Sequence, residues 1–270
     1  MPSRMARTIA ICNQKGGVGK TTTAVNLAVC LAALEKKTLL IDIDPQANTS
    51  QSTGINETLD EDIYEALILA ENLEQATVER LSRIIKPVNP EFKLKCLSIL
   101  PSSPGLAKLE MELVNASNRE RRLQRVIKVV EVNYEFIIID APPSLNLLTI
   151  NTLTAANSVV VPVQCEYFSL QGVAELLNTI KLVQSNLNTN LKIEGALLTM
   201  YDTRNSLSKL VAEEVRGNFP GKVFSSIIPR NVKLAEAPSH GKPILLYDIQ
   251  SAGSQAYMKL AEEILETANG

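Results

Sequence analysis

Residues 8–22 read TIAICNQKGGVGKTT, an apolar strand followed by a glycine-rich loop and the start of a helix. Glycines allow backbone N–H groups to turn inward around phosphate oxygens, and a following helix presents its positive N-terminus to the same anion. In such a loop Lys20 reaches the β- and γ-phosphates of a nucleotide, and the Thr21 hydroxyl ligates Mg²⁺. The residues predicted to bind phosphate are Lys15, Gly16, Gly17, Val18, Gly19, Lys20, Thr21 and Thr22.

Two further apolar runs end in carboxylates. Residues 38–46 read TLLIDIDPQ, where Asp44 directly follows the strand and a proline ends it. Residues 136–143 read FIIIDAPP, an apolar strand that ends at Asp140. A carboxylate beside a phosphate loop orients the attacking water or holds Mg²⁺ through a bound water. Asp44 could take either role, whereas the apolar strand that ends at Asp140 indicates the second role for Asp140.

Around these motifs the chain alternates short apolar runs with amphipathic stretches. Continuous apolar runs mark strands that are covered on both faces, so we predict an α/β fold with a doubly wound, mostly parallel sheet and helices on both faces. The predicted strands are 8–12, 38–42, 97–100, 136–140, 158–163, 193–200 and 223–228. The predicted helices are 21–34, 63–70, 73–83, 106–113, 119–132, 146–155, 170–185, 206–216 and 251–267. Ligands of such folds bind at the carboxyl ends of the strands, where the loop and both aspartates lie.

The composition argues against several other classes of protein. The 270 residues are 45% hydrophobic and 21% charged, which is ordinary for a globular protein and unlike a disordered one. The sequence has no run of about 18 apolar residues, and its basic start precedes too short an apolar run for a secretory signal. The four cysteines form no CxxC pair, so we expect mostly buried, reduced thiols, with an iron–sulfur or zinc site as the alternative.

The phosphate loop departs from the usual pattern in two ways. Gln14 stands where the first glycine is expected, and Lys15 is a second lysine. In both features the loop resembles the deviant Walker A loop of the ParA/MinD superfamily of P-loop ATPases. The segments around Asp44 and Asp140 resemble those of the ParA family. Segments 161–164, 168–172 and 228–239 are similar to its Soj-like, chromosome-partitioning subgroup, and the resemblance spans about residues 7–268.

The resemblance implies an ATPase that uses ATP and Mg²⁺ and forms a homodimer around two nucleotides. It implies that Lys15 reaches across the dimer to the partner's phosphates, as an arginine finger does. Asp44 matches the aspartate that hydrolysis requires in the family, and Ala47 stands where a glycine is usual. Pro229 and Asn231 match the segment beside the adenine.

The implied DNA surface is a basic segment. Residues 200–245 contain seven Lys and Arg against four Asp and Glu, a local charge of +3 in a chain of net charge −2. Arg204 and Lys233 match positions at which the family binds double-stranded DNA without sequence preference, and Lys233 replaces a more usual arginine. A second basic run, Arg119–Arg125, is the alternative surface. Binding to phosphates alone is weak and salt-sensitive.

The family's biology supplies the remaining expectations. We expect residues 1–270 to form a single P-loop ATPase domain, without an N-terminal helix-turn-helix domain, in a cytoplasmic, nucleoid-associated protein. A ParB-like DNA-binding partner is expected to stimulate hydrolysis. Membrane association is not expected, because residues 257–266 are acidic whereas a helix that lies on anionic lipid is basic. The open alternatives are a ParA-like positioner of a non-DNA cargo, a MinD-like membrane-associated positioning ATPase, and a metal-cluster carrier.

Overall fold

The computed structural model describes residues 5–55, 59–72, 77–88, 90–166 and 169–269. The strands in this part are β1 (Arg7–Ile11), β2 (Thr38–Asp42), β3 (Lys86–Pro87), β4 (Leu97–Leu100), β5 (Phe136–Asp140), β6 (Ser158–Gln164) and β7 (Lys192–Thr199). They form a seven-stranded sheet in the order β3-β4-β2-β5-β1-β6-β7. Every neighbouring pair is parallel except β3 with β4. The mostly parallel sheet confirms the predicted fold class.

Helices cover both faces of the sheet. Those in the described residues are α1 (Lys20–Ala33), α2 (Asn48–Ser52), α3 (Ile63–Leu69), α4 (Val78–Ile84), α5 (Leu109–Glu112), α6 (Arg122–Val130), α7 (Leu147–Ala155), α8 (Ser169–Asn186), α9 (Ser206–Asn218), α10 (Val232–Glu236), α11 (Ile244–Tyr247) and α12 (Ala252–Asn269). Side chains of a strand point alternately to opposite faces. Accordingly, Ile138 packs in a cluster with α1 and α12, whereas Ile137 and Ile139 pack with α3, α4 and α6. Helices α8 and α9 cover β6 and β7.

The sheet order places the predicted site residues at one edge. β1 lies between β5 and β6, so the loop that follows β1 leaves the centre of the sheet. Asp42 and Asp140 are direct neighbours across β2 and β5, at the carboxyl ends of both strands. The phosphate loop and the carboxylates therefore meet at the edge where parallel sheets bind ligands.

Most predicted strands are confirmed to within one residue at each end, but the strand at 223–228 is wrong. The segment makes one isolated bridge, between Val223 and Ala196, and Pro229, just beyond it, makes another with Tyr201. The backbone N–H groups of Ser225 and Ser226 donate to the Glu263 carboxylate of α12, at 3.1 Å each. These two donors are therefore not available to a strand ladder.

Several helix boundaries also differ from the predictions. In place of one helix over 106–113, a 3₁₀ turn at Pro104–Lys108 leads into the short helix α5. In place of one helix over 119–132, 3₁₀ turns flank α6 on both sides. The helix predicted at 73–83 begins at Val78, after Thr77, whose hydroxyl accepts a hydrogen bond from the Arg80 N–H at 3.2 Å. Residues 73–76 of that prediction, and Phe168 of the matching segment 168–172, lie outside the described residues.

Candidate active site

The glycine-rich loop adopts the conformation that its sequence predicts. Gly17 has φ 73° and Gly19 has φ 89°, in the left-handed region that favours glycine. Gly19 is the N-cap residue of α1, so the first N–H groups of a 14-residue helix face the loop without a side-chain cap. A Cβ atom at Gly16 or Gly17 would meet no described atom within 4 Å, which leaves open space beside the loop. The loop therefore presents uncapped donors toward a space that a phosphate can fill.

Lys20 is buried and lies folded over the loop. Its Nζ donates to the Lys15 carbonyl at 3.1 Å, and burial lowers the pKa of Lys20 while Asp140 opposes the shift. The loop is in turn fixed by Asn13, whose Oδ1 accepts from the Lys15 N–H at 3.0 Å and whose Nδ2 donates to the Pro162 carbonyl at 2.7 Å. Asn13 thus connects the loop to β6. The sequence alone did not predict this role for Asn13.

Asp140 is the centre of the predicted magnesium site. Its Oδ2 accepts from the hydroxyls of Thr21 and Thr49, at 2.7 Å each. Its Oδ1 is buried and has no hydrogen-bond partner among the described residues. Burial raises the pKa of Asp140 to about 6, against the two hydroxyl hydrogen bonds. Mg²⁺ prefers carboxylate, hydroxyl and water oxygens, so this donor set fits the ion.

Asp44 lies just beyond β2 and is nearly buried, with 7% of its surface exposed. Its Oδ1 accepts from the Gln46 N–H at 2.9 Å, and Pro45 keeps the turn short.

Asp42, two residues earlier, is fully buried. It accepts from the N–H and the hydroxyl of Ser50 at 2.8 Å each, and from the Asp44 N–H at 3.2 Å. Burial and the neighbouring Asp140 raise the pKa of Asp42 to about 7.

Helix α2 supplies site residues that the sequence did not single out. Thr49 and Ser50 are adjacent on this five-residue helix, and each bonds to a different buried carboxylate at the end of a strand. Serine and threonine are common in turns for local reasons, so neither residue carries a signal before the tertiary contacts are known. α2 therefore connects the Asp42 turn to the predicted magnesium site.

The residue that opens α2 is strained. Ala47, at the position where the family usually has glycine, has φ 53° and ψ 27°. A side chain in this left-handed conformation costs about 1–2 kcal/mol.

We expect Ala47→Gly to raise the free energy of unfolding by about 1 kcal/mol, and the melting temperature by roughly 2–4 °C. Ala174→Gly, at an exposed position inside α8, is the matched control and is expected to lower stability by about 0.5–1 kcal/mol. Both variants are measured by thermal unfolding. If Ala47→Gly loses as much stability as Ala174→Gly, Ala47 is not strained.

The predicted adenine residues lie at the same edge of the sheet. Thr199, at the end of β7, donates its hydroxyl to the Val18 carbonyl at 2.9 Å, which joins β7 to the phosphate loop. Pro229 is bridged to Tyr201, two residues beyond β7. The Oδ1 of Asn231 accepts from the Lys233 N–H at 2.8 Å and caps α10. Contact of Pro229 and Asn231 with adenine stays a prediction.

The predicted DNA residues are exposed and are paired with carboxylates. Arg204 has 88% of its side chain exposed and donates to Asp202 through Nε at 3.1 Å and Nη2 at 3.0 Å. The Nζ of Lys233 lies 3.1 Å from Glu236 and 5.5 Å from the centre of the Tyr247 ring. Exposed ion pairs of this kind stabilise a protein little, so either pair can open at little cost in free energy.

The alternative basic run, Arg119–Arg125, makes internal contacts. Arg122 is 1% exposed and lies 3.4 Å from Glu71. Arg125 donates to the carbonyls of Ala70 and Glu71 at 3.0 and 3.1 Å, and Arg121 donates to the Leu187 carbonyl at 3.0 Å. These guanidinium groups cap and connect helices, so they are less accessible to DNA than Arg204.

The structure also bears on the alternative sites. All four cysteines are free, and burial raises the pKa of Cys12 and of Cys30 to about 12. Across the described residues, no three His, Cys, Asp or Glu side chains are grouped so that they could hold a metal ion. Within the same residues, no helix combines the length and apolar character needed to cross a membrane.

Comparison with known proteins gives a consistent result. A family model described as "AAA domain" matches residues 6–193. The sporulation initiation inhibitor protein Soj of Bacillus subtilis is 52% identical over 98% of this chain and 100% of its own length. The chromosome partitioning protein ParA of Myxococcus xanthus is 48% identical over 97% of this chain and 89% of its own length. A solved structure of cobyrinic acid a,c-diamide synthase from Mycobacterium smegmatis, with bound ATP analog and magnesium, has a TM-score of 0.83 and 33% identity, over 98% of this chain and 96% of that one.

Proposed function

This chain belongs to the Soj/ParA family of chromosome-partitioning ATPases, and from that premise we propose that its single P-loop domain, residues 1–270, hydrolyses ATP with Mg²⁺ to partition DNA. The observation that carries the proposal is the buried Oδ1 of Asp140, which has no hydrogen-bond partner in the described part of the chain, on the carboxylate whose Oδ2 accepts from the Thr21 hydroxyl beside the phosphate loop. In this assignment the loop N–H groups and Lys20 bind the phosphates of ATP. Thr21 and Asp140 would hold Mg²⁺, Asp140 through water, and the ion would supply charge neutralisation at the transferred phosphate.

The hydrolytic step is assigned to Asp44. Asp44 is nearly buried at the carboxyl edge of the sheet, beside the phosphate loop. In this assignment its carboxylate orients the water that attacks the γ-phosphate. Lys15 is assigned to the dimer, because its backbone is fixed by Asn13 while its side chain is partly exposed. In an ATP-bound homodimer its ammonium reaches the phosphates of the partner. Pro229 and Asn231 lie beside the adenine in this assignment.

The dimer is the DNA-binding form in this proposal. One protomer presents a single copy of this surface, on which Arg204 and Lys233 are each paired with a carboxylate. Two copies on one rigid dimer act together, because the second engages at a high effective concentration. A ParB-like partner bound to DNA then stimulates hydrolysis, and the dimer dissociates and leaves the DNA. The protein is accordingly cytoplasmic and associated with the nucleoid.

DNA binding is expected to require ATP, to tolerate any sequence and to weaken steeply with salt. Arg204→Glu and Lys233→Glu are each expected to abolish the retardation of duplex DNA and to leave ATP-dependent dimerisation intact. A substitution that removes one of these cations without abolishing binding should lower the slope of log affinity against log salt by about 0.9, because one phosphate contact is lost. The measurement is gel retardation with and without ATP, at two salt concentrations, with dimerisation followed by light scattering.

Lys128→Glu is the matched control for these variants. Lys128 is exposed on α6, outside residues 200–245, and its reversal makes the same change in net charge. DNA binding that falls equally in all three variants would indicate a general charge effect. Wild-type protein that dimerises with ATP and binds no DNA would favour the positioning of a non-DNA cargo.

A further inference from the structure

Ser102 makes two buried hydrogen bonds to the region around Asp44. It lies two residues beyond β4, is 4% exposed, and donates its hydroxyl to the Asp44 carbonyl at 2.8 Å. Its N–H donates to the Ser50 hydroxyl oxygen at 3.0 Å. One residue from a neighbouring strand therefore contacts both the turn that carries Asp44 and helix α2.

These contacts close a ring of four residues. The Ser50 hydroxyl donates to Asp42 Oδ2 at 2.8 Å, and the Asp44 N–H donates to Asp42 Oδ1 at 3.2 Å. The path runs from Asp42 to Ser50, Ser102, Asp44 and back to Asp42. Each hydroxyl proton is used once in this path, so all four hydrogen bonds can exist together.

The sheet explains why Ser102 reaches this position. β4 and β2 are parallel neighbours, with Ile41 directly opposite Leu100. Both chains leave the sheet at the same edge, so the second residue beyond β4 lies beside the turn that follows β2. Ser103, the next residue, turns away and accepts a hydrogen bond from the Gly105 N–H at 3.2 Å, inside its own turn.

The ring holds both backbone polar groups of Asp44. The N–H is bound to Asp42, and the carbonyl oxygen accepts from the Ser102 hydroxyl at 2.8 Å and from the Ala47 N–H at 2.9 Å. With both groups fixed, the direction of the Asp44 side chain depends mainly on its own rotation, and the Gln46 N–H restrains that rotation. Misplacement of a catalytic group by about 1 Å can lower a rate by roughly 100-fold, so small shifts of this turn matter.

We infer that Ser102 is a positioning residue for ATP hydrolysis, which holds the Asp44 turn against α2 so that the Asp44 carboxylate faces the attacking water. The inference rests on the proposed hydrolysis through Asp44. Ser102 is assigned no contact with ATP, and its N–H and its hydroxyl proton are both used within the ring. Its removal should therefore affect turnover and not nucleotide binding.

The test is the steady-state hydrolysis of ATP by Ser102→Ala in the full chain. We expect kcat to fall about tenfold and the KM for ATP to change less than about twofold, since one neutral hydrogen bond is removed. In an Asp44→Asn background, Ser102→Ala is expected to leave the residual turnover unchanged, because its effect acts through the Asp44 carboxylate. Ser103→Ala, which removes the adjacent hydroxyl, is the matched control and should retain wild-type kcat.

A second variant covers the case in which Ser102→Ala does not fold. Ser50→Ala opens the ring at another point and is expected to show the same split between kcat and KM. Wild-type kcat in either folded variant would overturn the inference, and so would an equal further loss of turnover in the Asp44→Asn background. Absence of hydrolysis by the wild type would instead overturn the proposed function on which the inference rests.

Discussion

Asp44→Ala is expected to lower ATP turnover by at least about 100-fold while ATP binding and ATP-dependent dimerisation persist. The carboxylate lies beyond β2, and its described side-chain contact is the hydrogen bond from the Gln46 N–H. The hydrogen bonds that position Lys20, Thr21 and Asp140, the residues assigned to phosphate and Mg²⁺, do not involve that carboxylate. Because the ring through Ser102 binds the Asp44 backbone, the turn should also survive truncation of the side chain.

The measurement compares single-turnover hydrolysis with equilibrium binding of ATP in the same protein. Asp60→Ala, which removes an exposed carboxylate from the segment after α2, is the control and should hydrolyse ATP as the wild type does. If Asp44→Ala hydrolyses ATP at the wild-type rate, Asp44 has no part in the chemical step. A loss of ATP binding together with turnover would indicate a role in holding the nucleotide.

The strands and the phosphate loop could be predicted because their signals are local. The run Phe136–Asp140 has four successive apolar positions, three of them isoleucine, and is followed by two prolines, which together favour a short strand buried on both faces. Gly17 and Gly19 stand where the backbone takes positive φ. In both cases the residue type and the local conformation have the same physical cause, so one predicts the other.

The rest of the site could not be predicted because its signals are tertiary. Thr49, Ser50 and Ser102 are small polar residues whose partners lie 91, 8 and 58 positions away in the sequence. The segment 223–228 has the composition of a strand, but Glu263 of α12 takes two of its N–H groups. Such contacts depend on how β2, β4, β5 and α12 are arranged, and no local pattern encodes that arrangement.

Lys20→Ala and Lys15→Ala are expected to fail at different steps. Lys20 is buried within its own loop, where Nζ binds the Lys15 carbonyl and can move to a phosphate of the same protomer. A buried charge interaction of this kind contributes enough that its removal should weaken ATP binding on the order of 100-fold. Lys15 acts across the dimer in our assignment, so Lys15→Ala should bind ATP within about threefold of wild type but neither dimerise nor hydrolyse it.

Lys36→Ala is the control for both, since Lys36 forms an exposed ion pair with Glu135 at 3.4 Å and lies outside the loop. ATP affinity is measured by equilibrium titration, and dimerisation by light scattering with a slowly hydrolysed ATP analogue. Equal losses of ATP affinity in Lys15→Ala and Lys20→Ala would place both ammonium groups on the phosphates of one protomer and contradict the assignment of Lys15 to the partner.

A mixture of Lys15→Ala with Asp44→Ala protein gives the sharper result. If Lys15 acts on the partner's nucleotide, the nucleotide site of the Lys15→Ala protomer has its own Asp44 and the partner's Lys15. The other site lacks both residues. Hydrolysis should therefore return at the first site.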